Sequence, residues 1–275
     1  MTMPRGLLLA ILIPLSACSV GNGDGRAVGN LFIQDCSSDS DYCSGDVCGT
    51  PTAPAPYDLH PDFFAGEPFN VPQKVISVQI PQERNRLTIR MQRSGKRIEQ
   101  NDVVTFQVAD EYEVARCVRG GTLPNGDPDY DPRYCFHATP DTPAKIRITS
   151  AGGIILASFM PRMTCSRNVV ASAYDTPSVD DTASIPSDGS FDSWITFETF
   201  GSARLDPASP PTSLNFKVNM EERVQASAFH LVLVDSQVID DLRGDLPVQS
   251  PTVGGILDGY FDFDVVRGQG AQFFP

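Results

Sequence analysis

The stretch Tyr260-Phe261-Asp262-Phe263-Asp264-Val265 alternates apolar and polar side chains from one residue to the next. Successive side chains of a β-strand point to opposite faces, so this pattern predicts a strand with one buried face and one face in water. The same period of two recurs at Leu87–Gln92 and at residues 213–219. We therefore expect strands rather than helices to dominate the fold.

About eleven short runs of this kind follow residue 73, and turn signals such as Asn125-Gly126 and Gly152-Gly153 separate them. Strands at this spacing predict an all-β fold, an antiparallel β-sandwich over residues 73–275. Two successive small sandwiches divided near residues 176–190 would also fit. The runs cover residues 74–80, 87–92, 103–108, 113–118, 145–149, 154–160, 169–174, 193–200, 213–219, 226–235 and 259–266.

The N-terminus carries one basic residue, Arg5, followed by an apolar run from Gly6 to Leu15. The run has the length of a secretory signal and is shorter than the roughly 20 residues of a membrane-spanning helix. It ends in Leu15-Ser16-Ala17-Cys18, which resembles the lipobox of bacterial lipoproteins at every position. The resemblance implies that residues 1–17 are a signal peptide and that Cys18 carries lipid. An ordinary signal peptide with a chance cysteine is the alternative.

The same resemblance implies a location in the bacterial cell envelope, with the membrane as a partner through the lipid anchor. Two or three acyl chains hold a protein on a membrane where one chain does not. In the enterobacterial pattern, Asp after the lipidated cysteine retains the protein in the inner membrane. Ser19 stands at that position, which implies the outer membrane.

The seven cysteines become an even set if Cys18 carries lipid. An even number in an exported protein predicts disulfides, and six cysteines allow 15 pairings. Cys117 and Cys135 flank a turn-rich insertion and are expected to close its base. Zinc is disfavoured because the chain has no Cys-x2-Cys pair and no histidine near the N-terminal cluster. The six candidates are Cys36, Cys43, Cys48, Cys117, Cys135 and Cys165.

Two segments precede the predicted β domain. Residues 18–35 are rich in Gly, Asn, Asp and Ser, and we expect a flexible tether there. Residues 36–72 hold three cysteines and then a proline-rich stretch that begins at Thr50. Proline at that density favours extended polyproline conformation, so this segment is predicted to be a spacer or a strap lying over the domain.

The acidic stretch from Asn125 to Asp131 places oxygen ligands at every second residue. Hard cations such as Ca²⁺ bind six to eight oxygens, so Asp127, Asp129 and Asp131 are candidate calcium ligands. The stretch lacks the glycine and the glutamate that an EF-hand loop carries at its sixth and twelfth positions. We favour the simpler interpretation, an acidic hairpin tip closed by a Cys117–Cys135 bridge, and calcium is the one cofactor that the sequence suggests.

Sequence motifs for catalysis are missing. The three histidines, His60, His137 and His230, occur in no His-Glu-x-x-His pattern, and the chain has no Gly-x-Ser-x-Gly elbow. His230 lies in a strand-like run, where a structural role is more common than a catalytic one. Trp194, beside Ile195 and Phe197, is expected in the core, and a role as a ligand platform is the alternative.

The formal net charge of −13 argues against nucleic acid as a partner, because phosphates would be repelled. We therefore expect a non-enzymatic envelope lipoprotein that binds or scaffolds, with an envelope protein or a polysaccharide as its partner. An extracytoplasmic hydrolase and a calcium-dependent adhesion module are the two alternatives.

Overall fold

The computed structural model describes residues 23–32, 54–68, 87–93, 101–150, 153–161, 171–175, 189–208, 223–235 and 253–264. Strands account for most of these residues, which confirms the predicted all-β class. The described part contains one helix, α1 (Glu111–Arg119). The strands are β1 (Gly23–Leu31), β2 (Ala55–Leu59), β3 (Phe63–Pro68), β4 (Leu87–Gln92), β5 (Val103–Val108), β6 (Cys135–Phe136), β7 (Lys145–Arg147), β8 (Ile155–Met160), β9 (Ala171–Ala173), β10 (Trp194–Phe200), β11 (Ala203–Arg204), β12 (Arg223–Asp235) and β13 (Val253–Asp264).

All thirteen strands belong to one antiparallel sheet. Its main path runs β2-β1-β13-β12-β9-β8-β5-β4-β3. A branch leaves β12 through β10, which pairs with β11 and β7, and β7 pairs with β6. The longest pairing joins β12 to β13, from Arg223 opposite Asp264 to Val234 opposite Val253.

The sheet curls until its two halves pack face to face. The ring of Phe106 on β5 lies 5.2 Å from that of Phe229 on β12 and 5.5 Å from that of Phe261 on β13, although several strands separate β5 from them in the sheet. Tyr57 on β2 similarly meets Phe159 on β8 at 5.3 Å. Fully burying one such side chain contributes about 1.5–3 kcal/mol, so these rings form the main stabilising core.

The predicted tether over residues 18–35 is wrong for Gly23–Leu31, which form β1 between β2 and β13. Inward positions of β1 carry small or apolar residues, including buried Ala27 and Leu31. A Cβ on Gly25 would lie 3.2 Å from Cε1 of Phe64, so glycine makes room here for an aromatic ring. The glycine-rich composition, which is typical of a loop, therefore allows β1 to pack closely against the Phe64 ring.

The Pro-rich segment also enters the sheet. β2 pairs with β1 and β3 pairs with β4, so the β domain begins well before residue 73, and the expected polyproline strap is wrong for these two stretches. Pro56 is tolerated because, among the described residues, β2 pairs on one side alone, and an edge strand can leave one N–H position unused.

Residues 113–118 were predicted as a strand and instead lie in α1. Asp110 caps the helix by accepting a hydrogen bond from the N–H of Glu113 at 3.1 Å. Gly120 ends it with a φ of +67°, a backbone conformation that other residues rarely adopt. Val114, Cys117 and Val118 are buried at helical spacing, which the short apolar run did not distinguish from a strand.

Strands on both sides of residues 176–190 pair within the same sheet, since β7 joins β10 and β9 joins β12. The alternative of two separate sandwiches is therefore wrong for the described residues. The predicted strands at 74–80 and 213–219 lie outside those residues. Within the described ranges, no helix has the length and hydropathy that crossing a membrane requires.

Candidate functional site

A row of side chains crosses the outward surface of the sheet. Trp194 on β10 stands opposite His230 on β12, and His230 stands opposite Asp258 on β13. A chain neighbour of each of them is buried, Ile195 after Trp194, Leu231 after His230 and Leu257 before Asp258, so strand alternation points the three side chains outward. With Lys145 on β7, they make up what we call the outer-face row.

Members of the outer-face row contact one another in sequence across the strands. Nζ of Lys145 lies 4.8 Å from the centre of the Trp194 ring, within cation–π range. The rings of Trp194 and His230 stack with their centres 6.1 Å apart and their planes 22° apart. Nδ1 of His230 lies 2.5 Å from Oδ1 of Asp258. These contacts hold four half-buried or exposed side chains in defined positions.

The Asp258 carboxylate fixes the His230 ring. An ionised carboxylate only accepts hydrogen bonds, so Nδ1 of His230 is the donor in this pair. Nε2 is then the ring nitrogen that remains available to a ligand. The Asp258 side chain keeps 54% of its surface exposed, so it too can accept hydrogen bonds from outside.

A second fixed pair lies on the neighbouring strands. Arg26 on β1 holds Asp58 on β2 through two hydrogen bonds, from Nε at 3.0 Å and from Nη2 at 2.6 Å. Nε2 of His60 lies 3.1 Å from the same carboxylate. The hydrogen bond from Arg26 keeps the pKa of Asp58 below its usual value. Val28 on β1 lies between Asp58 on β2 and Asp258 on β13, because it stands opposite both aspartates.

Two large apolar side chains project from the same surface of β13. Tyr260 is 42% exposed and Ile256 is 41% exposed. Tyr260 stands opposite Arg26 in the β1–β13 pairing. Aromatic and aliphatic surface is thus interleaved with charge pairs over five neighbouring strands. We call this surface the outer face, and it comprises Arg26, Val28, Asp58, Trp194, His230, Ile256, Asp258 and Tyr260.

The acidic loop lies elsewhere in the molecule, between α1 and β6. A disulfide joins Cys117 to Cys135 across 18 positions with 5.7 Å between the Cα atoms, which confirms the predicted pairing. Both cysteines are buried, so the bridge anchors the loop in the core.

The three candidate calcium ligands face three different partners. Asp127 accepts a hydrogen bond of 2.6 Å from Nδ2 of Asn125. Asp129 forms a largely buried ion pair with Arg119 of α1. Asp131 pairs with Arg133 at 2.6 Å, and hydrogen bonds from Arg133 lower its pKa. These contacts account for the acidic residues as parts of a folded loop, and the calcium site stays a prediction.

One group of metal-ligating side chains does come together in the described part of the chain. A carboxylate oxygen of Glu113 and the sulfurs of Cys117 and Cys135 lie within 4.8 Å of one another. Because the two sulfurs are bonded to each other, they are not thiolates, and thiolate is the form that binds metals. In the oxidised protein the group therefore offers a single carboxylate.

His137 has its ring nitrogens in structural contacts. Nδ1 lies 2.8 Å from the carbonyl oxygen of Thr142, and Nε2 lies 2.9 Å from that of Cys117. The ring also packs 5.0 Å from Tyr130. His137 therefore ties the acidic loop to α1 and is a poor candidate for a catalytic base.

The prediction of Trp194 as a core residue is wrong, since Trp194 points outward while Ile195 and Phe197 fill the core. Sequence reasoning also missed Lys145, Asp258 and the Arg26–Asp58 pair. These residues lie on different strands, and the register between the strands is what brings them together. The available signal was the alternation of Trp194-Ile195-Thr196-Phe197, which puts Trp194 on the opposite face from Phe197.

The remaining site predictions, Cys18, Cys36, Cys43, Cys48 and Cys165, lie outside the described residues. No protein-family model matches the chain, and no curated protein and no solved structure is significantly similar to it. The outer face and the acidic loop therefore have to be interpreted from their own chemistry.

Proposed function

We propose that this protein is a lipid-anchored, non-enzymatic binding module of the bacterial outer membrane. The observation that carries the proposed binding role is the outer face, where aromatic rings and paired polar side chains lie together on one sheet. Recognition sites work best on elements whose side chains are already held in place. The Trp194–His230–Asp258 contacts supply that order without a ligand.

Support for the location comes from two independent features. Leu15-Ser16-Ala17-Cys18 resembles a lipobox, which implies export and lipid attachment at Cys18. The Cys117–Cys135 disulfide fits an oxidising compartment, because cytosolic thiols are kept reduced.

The two alternatives, an extracytoplasmic hydrolase and a calcium-dependent adhesion module, stay predictions. In the described part of the chain, His137 is engaged by two carbonyl oxygens, and His230 lies on an open sheet surface beside Asp258. Neither geometry favours hydrolysis over binding. Asp129 and Asp131 already pair with arginines, which does not favour calcium-dependent adhesion.

The location is tested in a bacterial host that makes the full chain. Metabolic labelling with a palmitate analogue should mark the wild type and leave Cys18→Ala unlabelled. Fractionation should place the labelled protein with the outer membrane, and surface protease treatment then tells which side it faces. Label that persists in Cys18→Ala, or a wild type released in soluble form, would refute the anchor.

A further inference from the structure

We propose that the outer face binds a neutral polysaccharide, with Trp194 and Tyr260 as contacts for sugar rings and His230 and Asp258 as partners for hydroxyl groups. This inference rests on the proposed binding function and names its ligand class. The structure supports it in four ways, which concern the reach of the face, its hydrogen-bonding groups, its charge and its closed backbone.

The reach of the face suits an extended ligand. Trp194 lies on β10 and Tyr260 on β13, with β12 between them, and Tyr260 is two residues along from the row that contains Trp194. Neighbouring strands are about 4.8 Å apart and alternate residues are about 6.8 Å apart, so the two backbone positions are about 12 Å apart. A polymer crossing the strands obliquely can therefore touch both aromatic side chains.

The polar groups between those two rings suit hydroxyls. A hydroxyl donates one hydrogen bond and accepts others, so it is matched by a surface that offers both kinds of partner. Asp258 is an exposed acceptor, and Nε2 of His230 lies on the same row. Arg26 and Asp58 add fixed donors and an acceptor nearby. Because these side chains are already paired, little conformational entropy is lost when a ligand binds.

The charge of the face favours a neutral polymer. Arg26 offsets Asp58 and Lys145 offsets Asp258 in the middle of the face, while exposed Asp24 and Asp264 on the same side of β1 and β13 add negative charge that disfavours an anionic ligand. The whole chain carries −13, which repels anionic polymers approaching from a distance. A neutral glycan is not subject to this repulsion.

The backbone in the middle of the face is closed to a peptide strand. β12, β13 and β1 each pair on both sides, so their N–H and C=O groups are not available for β-strand addition. Val28 has the charged side chains of Asp58 and Asp258 opposite it on both sides, whereas Ile256 stands opposite Val232 of β12, so the apolar surface here is short. Recognition here therefore depends on side chains, as polysaccharide binding does.

The chain has a single tryptophan, so its fluorescence reports directly on the outer face. The full-length lipoprotein, purified in detergent, would be titrated with a neutral β-glucan, a neutral α-glucan, a mannan and a galactan, and with polygalacturonate as the anionic polymer. At least one neutral polymer should change the Trp194 emission and protect it from iodide quenching, and polygalacturonate should do neither.

Variants distinguish polymer binding at the outer face from non-specific binding elsewhere on the protein. Tyr260→Ala and Asp258→Asn should each weaken binding about tenfold or more, while Leu123→Ala, at an exposed position in the acidic loop, should leave it unchanged. Circular dichroism would confirm that each variant is folded. The proposal is overturned if all four neutral polymers fail to affect Trp194, or if both outer-face variants bind as well as the wild type.

The competing occupant is a protein partner. A photo-crosslinking residue in place of Ile256 in living cells distinguishes a protein partner from a polysaccharide. A discrete protein adduct there, with no neutral polymer bound in the titrations, would identify the outer face as a protein-docking surface and overturn the glycan proposal. The result of the palmitate labelling does not depend on the result of these binding experiments, because the labelling tests the lipid anchor and the binding experiments test the ligand.

Discussion

Phe229 lies directly over the backbone of Gly259, its partner across the β12–β13 pairing. A Cβ on Gly259 would collide with the backbone carbonyl oxygen of Arg26 on β1 and with the Phe229 ring, whose Cε1 would lie 2.8 Å away. The same ring packs 5.2 Å from Phe106 on the opposite half of the sheet. The missing side chain at Gly259 therefore lets Phe229 bridge the two halves of the curled sheet.

We expect Gly259→Ala to destabilise the protein by about 1–3 kcal/mol, because overpacking a tight contact forces the ring or the strand to move. Gly254→Ala on the same strand is the matched control, since its Cβ would come no closer than 3.2 Å to the Leu233 carbonyl oxygen. Urea unfolding followed by circular dichroism measures both variants. Equal losses in the two would show that the close approach of Phe229 and the Arg26 carbonyl oxygen to Gly259 is not the cause.

The Cys117–Cys135 disulfide should contribute about 3 kcal/mol, because it restricts the unfolded chain over a loop of 18 positions. The double variant Cys117→Ala/Cys135→Ala is expected to lower the melting temperature by several degrees, with the sheet still folded. Intact mass after alkylation without reductant checks that the wild type has no free thiol at these two positions. An unchanged melting temperature would mean that the bridge does not stabilise the loop.

Glu113 and Asp131, two neighbouring carboxyl groups, should affect stability in opposite directions with pH. Burial raises the pKa of Glu113, so the folded state holds its proton more tightly than the unfolded state does. Its contribution to stability is therefore present at low pH and is lost as pH rises through the folded-state pKa. Hydrogen bonds from Arg133 lower the pKa of Asp131, so its contribution is present above the unfolded pKa and is lost as pH falls.

The measurement for this pair is the free energy of unfolding in urea from pH 3 to pH 7. The advantage of the wild type over Glu113→Gln should shrink as pH rises, whereas its advantage over Asp131→Asn should grow. Parallel trends for the two variants would contradict the assignment of opposite signs.

The acidic loop should not need calcium. Asp129 is already paired with Arg119 and Asp131 with Arg133, so a cation would have to compete with these arginines. We expect the melting temperature to be the same in millimolar calcium and in chelator. A rise in calcium that disappears in Asp127→Ala would instead establish the site that the sequence suggested.

Much of the strand pattern was predictable from local sequence. The runs at Leu87–Gln92, Val103–Val108 and Ile155–Met160 are strands, as their alternating or continuously apolar side chains predict, although Arg90 and Gln92 on the polar side of the first run are buried as well. The Cys117–Cys135 pairing was also predictable, since the two residues flank one turn-rich insertion.

The wrong predictions have a shared physical reason. Gly23–Leu31 has the composition of a tether, yet it is a strand because β2 and β13 pair with it on both sides and Phe64 packs over Gly25. The run at residues 113–118 is helical because Asp110 caps it and Gly120 ends it. Strand pairing in the first segment and helix capping in the second outweigh the conformation that the local composition favours.

The sequence by itself determined the acidic charge, which is a sum over the chain. It also determined the β-rich class, the lipobox resemblance and the Cys117–Cys135 pairing, because each of these depends on residues that are near one another in the chain. Only the tertiary structure decided that Trp194, His230 and Asp258 form one row. Those three residues come from three strands, and cross-strand register is set by long-range pairing and core packing rather than by any local pattern. The face on which the proposed function depends exists only once the sheet has formed.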